Sequence, residues 1–175
     1  MAHLSEDHDK HYLHQPFTVA LYAGSSKPAD CMEYFHDFLL EINSILENGV
    51  IIAGKNIQVK IKNFICDTPA RAFIKQTKGH ASGDALEKCY LKGQKIDDTT
   101  VFIGVNCRKR TDEEFRNFVD ADHHNAVSPL KFITPKIDMI KLFIIDSMHV
   151  FGEGVMKKNT KWLNQQKYTG MLIAS

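Results

Sequence analysis

The sequence predicts an α/β fold, on three observations. Residues Phe17 to Tyr22 alternate apolar with small or polar side chains, the period of a half-buried strand. Met32, Phe35, Leu39, Ile42 and Leu46 recur at steps of three and four, the period of an amphipathic helix. The apolar run Phe64-Ile65-Cys66 then ends on Asp67, and Thr68-Pro69 opens a second helix at once. Strand, long helix, and strand ending in a carboxylate follow one another in that order.

Each element has its own local reason. Gly24-Ser25-Ser26 breaks the first strand, and Lys27-Pro28 leads into Asp30 with Glu33 three residues on, a capping-box spacing. Asn48-Gly49 stops the helix. Val50-Ile51-Ile52 and Ile57-Gln58-Val59-Lys60-Ile61 flank Gly54-Lys55, which predicts a hairpin whose second strand runs on through Cys66. Thr68 is placed to cap the next helix with Pro69 at its first position, which leaves Asp67 one residue outside and free to point elsewhere. Residues 78–98 are rich in Gly and Lys and read as an inserted loop. Val101-Phe102-Ile103 reads as a short strand, and Arg108 to Pro129 as mostly irregular. Helical patterns are expected at Ile137–Ile145 and Val155–Leu163.

The chain has 175 residues, 43% of them hydrophobic, enough for one domain with a real core. No apolar run reaches the length of a membrane span, and the polar, acidic start from Met1 to Gln15 resembles neither a signal peptide nor a transit peptide. Cys31, Cys66, Cys89 and Cys107 have no framework spacing, so reduced thiols and an intracellular protein are expected. The net charge of +1 hides an uneven spread: residues 51–110 hold 12 Lys or Arg against 5 Asp or Glu, and residues 131–175 hold 7 against 3. Residues 1–50 hold 2 against 8. The two basic blocks suit phosphate, although a solvated surface explains the balance equally well.

Four sets of residues carry possible chemistry. Asp67, at the end of a strand and before a helix, is either a surface turn carboxylate or a ligand for a divalent metal in phosphoryl chemistry. His80 and Cys89 fall in the inserted loop, and a zinc site would need two more ligands from among Cys66, Cys107, His123, His124 and His149. A free thiol and a surface imidazole are the plainer reading. Asp146-Ser147-Met148-His149 closes the apolar run Leu142 to Ile145, and its D-x-x-H spacing suits either a shared pocket or an ordinary helix start. Arg108-Lys109-Arg110 would suit a phosphate or simply solvent.

Taken in order, these pieces resemble one family. The run begins at Pro16-Phe17 and takes in Gly24, Lys27-Pro28, Glu33-Tyr34-Phe35, Asn48-Gly49 and Phe64 to Phe73 with its CD-x-PAR element. It goes on through Gly79-His80, Arg110-Thr111-Asp112 with Phe115, His123-His124 and Ser128-Pro129-Leu130. It closes on Asp146-Ser147-Met148-His149, Gly154 to Lys158 and Trp162. This resembles transposon-encoded proteins of animal genomes, related to DDE transposases of the CACTA, Mirage and Chapaev kind, over about residues 16 to 165.

The resemblance implies part of a ribonuclease-H-like core at residues 16–175, behind a polar tail at 1–15 and with an insertion at about 78–98. In that core three acidic residues hold two Mg²⁺ or Mn²⁺ ions for DNA strand cleavage and transfer. It implies that Asp67 is the second catalytic aspartate, that the loop of His80 and Cys89 is a zinc-binding insertion, and that Asp146 with His149 is the D-x-x-H element. DNA and a nuclear location follow for a functional protein.

The departures set the functional expectation. Before Pro16 only Asp7 and Asp9 stand where the first catalytic aspartate belongs, in a segment with no strand pattern. The final Glu is not found after His149, Glu153 coming too soon. Leu86 occupies the first Cys of the insertion's Cys-x-x-Cys, so Zn²⁺ binding is expected to be weak. The chain is thus expected to be a truncated transposase relative without strand transfer, active only if a second, complementing transposase chain supplied the missing acids. The rival expectation is a domesticated DNA- or protein-binding module. A sheet left without its first strands would also favour self-association.

Overall fold

The computed structural model describes residues 18–104, 106–146 and 156–157. Helices mix with three small sheets, which is α/β in the broad sense. Helix α1 runs from Cys31 to Asn48, as the three-four spacing predicts. The Asp30 carboxylate caps it, accepting from Met32 N at 2.7 Å, and Gly49, at φ 74°, ends it with its N–H on Ile45 O. Strands β1 (Val50–Ile52) and β2 (Lys55–Ile57) form a hairpin where one is expected, with Val50 opposite Ile57, but Lys55 is already in the second strand and residues 58–61 are not. Ala53 and Gly54 both have positive φ, the turn whose twist suits adjoining antiparallel strands.

The second strand does not run on to Cys66. β2 stops at Ile57, and β3 (Phe64–Cys66) belongs to a different sheet, paired parallel with β6 (Phe143–Ile145). Phe64 stands opposite Phe143 in register, and their rings stack at 4.9 Å. Residues 143–145 are therefore strand where the sequence suggested helix. Asp138 starts only a single turn, its Oδ1 accepting from Ile140 N and Lys141 N and its carbonyl from Leu142 N, before residues 143–145 pair with β3 instead. The expected first strand is likewise absent from its described part. Residues 18–22 pair with nothing regular, and Val19 and Leu21 are 68% and 89% exposed. Alternation alone does not make a strand without a neighbour to take its backbone groups.

Helix α2 spans Thr68–Lys75. Within the 78–98 loop the chain folds on itself, Gly93 N donating to Gly83 O. It ends in a second hairpin, β4 (Gln94–Ile96) with β5 (Thr99–Val101), turned by Asp97 and Asp98 at positive φ. Only Val101 of the expected strand 101–103 is in β5. The stretch expected to be irregular, 108–129, holds helix α3 (Asp112–Arg116) with a complete capping box between Thr111 and Glu114. It also holds a 3₁₀ turn at Ala121–His123, and a second such turn follows at Pro129–Phe132.

The core joins these pieces. Leu39 of α1, Phe115 of α3, Leu130, Ile133, Ile137, Met139, Ile140 and Phe143 are buried together, with Phe35, Phe38, Phe64 and Ile74 packed around them. Asn43 fastens α1 to the second 3₁₀ turn, its amide donating to Phe132 O and its carbonyl oxygen accepting from Thr134 N. Among the described residues no helix is long and apolar enough to cross a membrane. The polar tail at 1–15, the strand entry at Pro16-Phe17, His149, Glu153 and, but for Met156 and Lys157, the helix expected at Val155–Leu163 lie outside the described residues.

Candidate functional site at the carboxyl ends of the parallel strands

The parallel pair sets the geometry. Cys66 and Ile145 are register partners, so the next residues, Asp67 and Asp146, leave the carboxyl ends of neighbouring strands. The sequence placed Asp67 outside the cap of α2, whereas it is the cap. Its Oδ1 accepts from Ala70 N at 2.7 Å, with Thr68 and Pro69 as the first two helical residues. The shift follows from Pro69, which has no N–H to offer the first turn, so the free donor falls at Ala70, three residues after Asp67. One carboxylate oxygen is thereby committed to the helix.

Charge converges on this end of the sheet. Burial pushes the Cys66 thiol up in pKa; Arg71 opposes this, while Asp67, Glu87 and Asp146 add to it. Arg71 joins three segments. Its Nε pairs with Glu87 Oε2 at 2.7 Å, and its Nη1 donates to Ile144 O of β6 at 3.4 Å. The other Glu87 oxygen receives the ammonium of Lys75, which is completely buried between the Phe115 and Phe143 rings. Burial draws the Lys75 pKa down to about 8 against the pull of Glu87, with Lys88 and Arg71 pushing the same way as burial. Lys88 donates to Ile140 O and, at 2.8 Å, to Phe143 O, and burial lowers its pKa too.

A cavity of about 260 Å³ opens here, walled by Thr68 and Arg71 of α2, Lys78, His80, Lys88 and Phe102. His80 is thus a wall residue of this cavity. Cys89 lies apart from that wall, on an antiparallel bridge to Lys109, where the neighbouring free thiol of Cys107 pushes its pKa up. These two thiols are half of the four ligands a structural zinc needs, and Leu86 can donate nothing. Among the described residues no group of three or more His, Cys, Asp or Glu side chains gathers to hold a metal. Asp67 and Asp146 offer the carboxylates a hard divalent cation prefers.

The loop is organised instead around Arg110. Its Nε donates to both Leu86 O and Cys89 O at 3.1 Å, its Nη2 pairs with Asp120 Oδ2 at 2.6 Å, and its guanidinium lies over the Tyr90 ring. Read from sequence as one of a basic triplet, Arg110 is in fact 7% exposed. His123 and His124 are also buried, between this arginine, Lys75 and the rings of Phe115 and Phe118. His123 Nδ1 faces Asp84 O at 2.6 Å, while among the described residues His123 Nε2 and His124 Nδ1 have no hydrogen-bond partner. Burial lowers both pKa values, that of His124 to about 4. No signal in the sequence marks Arg71, Lys75, Glu87 and Lys88 as one cluster, because ion pairing between a helix and a loop has no period.

No family model matches this chain, and neither a curated protein nor a solved structure matches it.

Proposed function

We propose that this chain is a transposase-derived domain, built on part of a ribonuclease-H-like core, that contacts DNA and has no strand-transfer activity of its own. The observation that carries the reading is the pair of carboxylates, Asp67 and Asp146, at the carboxyl ends of adjacent parallel strands, with a helix starting directly after the first. That is where α/β folds place their ligands, and a strand ending in Asp67 with a helix directly after it is one of the elements on which the resemblance rests. Mg²⁺ or Mn²⁺ would be held there, by Asp67 and Asp146. Two-metal chemistry needs more oxygen ligands than two side chains supply, and Asp67 already gives one oxygen to Ala70 N.

DNA contact is favoured by the cations Arg71, Lys78 and Lys88, which line one cavity beside α2. A nuclear location goes with this reading. The test combines duplex DNA binding, followed across a salt titration, with a nicking assay in Mn²⁺. The expected outcome is binding that weakens steeply with salt and no nicking by the chain alone. Absence of binding at low salt removes the DNA reading. Mn²⁺-dependent nicking that is lost on Asp67→Asn removes the claim of catalytic silence and points to a working metal site.

A further inference from the structure

We propose that the cavity beside the first turn of α2 is a binding site for a phosphate group, carried by a nucleotide or by a nucleic-acid strand. The site stands on its own geometry, and only the choice of a strand as its source rests on the DNA-contact reading above.

Arg71 and Lys75 both pair with the carboxylate of Glu87, and Lys88 stands close to the same group. Asp138 acts on Lys88 from the far side, and its Oδ1 is already taken by the N–H groups of Ile140 and Lys141. The cavity wall itself is cationic, with Arg71, Lys78 and Lys88 against Glu87 among the described residues, and cations in a partly enclosed wall favour an anion beside them. The cavity gives an anion its place. Arg71 and Lys88 form part of its wall, Lys78 and His80 stand at its side, and the hydroxyls of Thr68 and Thr77 are available as donors. Glu87 is the one carboxylate in that wall among the described residues, and both its oxygens are engaged by Arg71 and Lys75.

The donors suit phosphate better than a carboxylate ligand. A guanidinium with two ammonium groups and two hydroxyls matches a tetrahedral oxyanion with several acceptor oxygens. Phe102 closes the cavity with an apolar ring, suited to the sugar or base next to the phosphate.

Lys78 is the residue to change. Its backbone N–H holds His123 O, but its half-buried side chain faces the cavity, so charge reversal there should leave the fold intact. The experiment titrates the full chain with inorganic phosphate, a nucleoside 5′-monophosphate and a short unphosphorylated DNA strand, by calorimetry and thermal melting. Wild type is compared with Lys78→Glu, Lys78→Gln and the control Lys62→Glu, an exposed lysine outside the cavity. The expected result is saturable binding of the monophosphate with a raised Tm, competition with the strand, and a loss of about tenfold or more in Lys78→Glu. Lys78→Gln should lie between, and Lys62→Glu should match wild type.

Equal losses in Lys78→Glu and Lys62→Glu would mean diffuse attraction and overturn the site. Strand binding that survives Lys78→Glu and ignores the monophosphate overturns the site while leaving the DNA reading in place. Monophosphate binding lost in Lys78→Glu, without any strand binding, supports the site and removes the DNA reading.

Discussion

Lys75 and Glu87 form an ion pair between the last turn of α2 and the inserted loop, with the ammonium wholly buried and the carboxylate nearly so. The loop is fastened by this pair and by Arg71, since Glu87 accepts from both. Removing the carboxylate leaves two cations uncompensated, one of them without solvent. Glu87→Ala is therefore expected to destabilise the fold by about 3–5 kcal/mol, the range for one broken partner of a buried pair. Lys75→Met keeps the volume and removes the desolvation that draws the lysine pKa to about 8, so it should cost far less or even stabilise. Denaturant melts of the two variants check this asymmetry. Equal losses would mean that the pair contributes net attraction.

Arg110 closes the loop with two carbonyls, a carboxylate and an aromatic face. Arg110→Lys keeps the charge but loses the planar fork, and is expected to cost about 2 kcal/mol or more by loss of charge-assisted bonds. Arg110→Ala should cost more, because Asp120 is left alone. A melt of Arg110→Lys indistinguishable from wild type would show that only charge matters there.

The buried histidines fix the acid limb of stability. Their folded pKa values lie below the unfolded value near 6.5, that of His124 at about 4, so the unfolded chain binds protons first as pH falls. The stability tied to His124 is complete above about pH 6.5 and drains as pH drops towards about 4, at up to ~1.4 kcal/mol per pH unit. Arg110, His123 and Lys75 reinforce this from around the ring, and Asp120 opposes it. His124→Phe, set between Phe115 and Phe118, should flatten that limb. Parallel pH profiles for variant and wild type would refute the assignment.

Asp67 is a helix cap whatever else it does. Asp67→Ala should cost about 1 kcal/mol, whereas Asp67→Asn, an equally good cap, should melt close to wild type. The comparison also makes Asp67→Asn the right variant for any metal assay, since it removes the anion and keeps the helix start.

Leu86 can be returned to a ligand. Leu86→Cys creates a Cys-x-x-Cys spacing with Cys89, whose thiol already meets Cys107. Zinc should raise the Tm of this variant, with EDTA reversing the gain, and should move wild type less. A zinc-indifferent variant would mean the loop fixed by Arg110 holds these thiols too far apart.

The sequence was most legible where one element decides its own conformation. The spacing from Met32 to Leu46, the Asp30 cap, the Gly49 stop and the β1–β2 hairpin all follow from neighbours in the chain. The Thr111-x-x-Glu114 capping box is equally local, yet it sits in a polar stretch with no apolar period to mark a helix. Ile137 to Ile145 was misread since a short apolar run carries no period that separates a buried strand from a helix. The candidate site lay further out of reach. Asp67 and Asp146 each ended an apolar run, but only pairing across the chain sets them side by side, and the ion pairs of Glu87 depend wholly on that folding.

The same pairing sets an order of events. β3 and β6 share three rungs, and the chain between them must already be folded back before the first rung forms. Closing so long an excursion costs entropy that three rungs repay only when the core is present. The hairpins and α1 can form early from local contacts, whereas the parallel pair must zip late and, by the same reasoning, open early. The backbone amides of Phe64, which donates to Leu142 O, and of Cys66 on the same edge should then exchange with solvent well before those in the middle of α1. The two carboxylates would come apart whenever that short seam parts, long before the molecule unfolds.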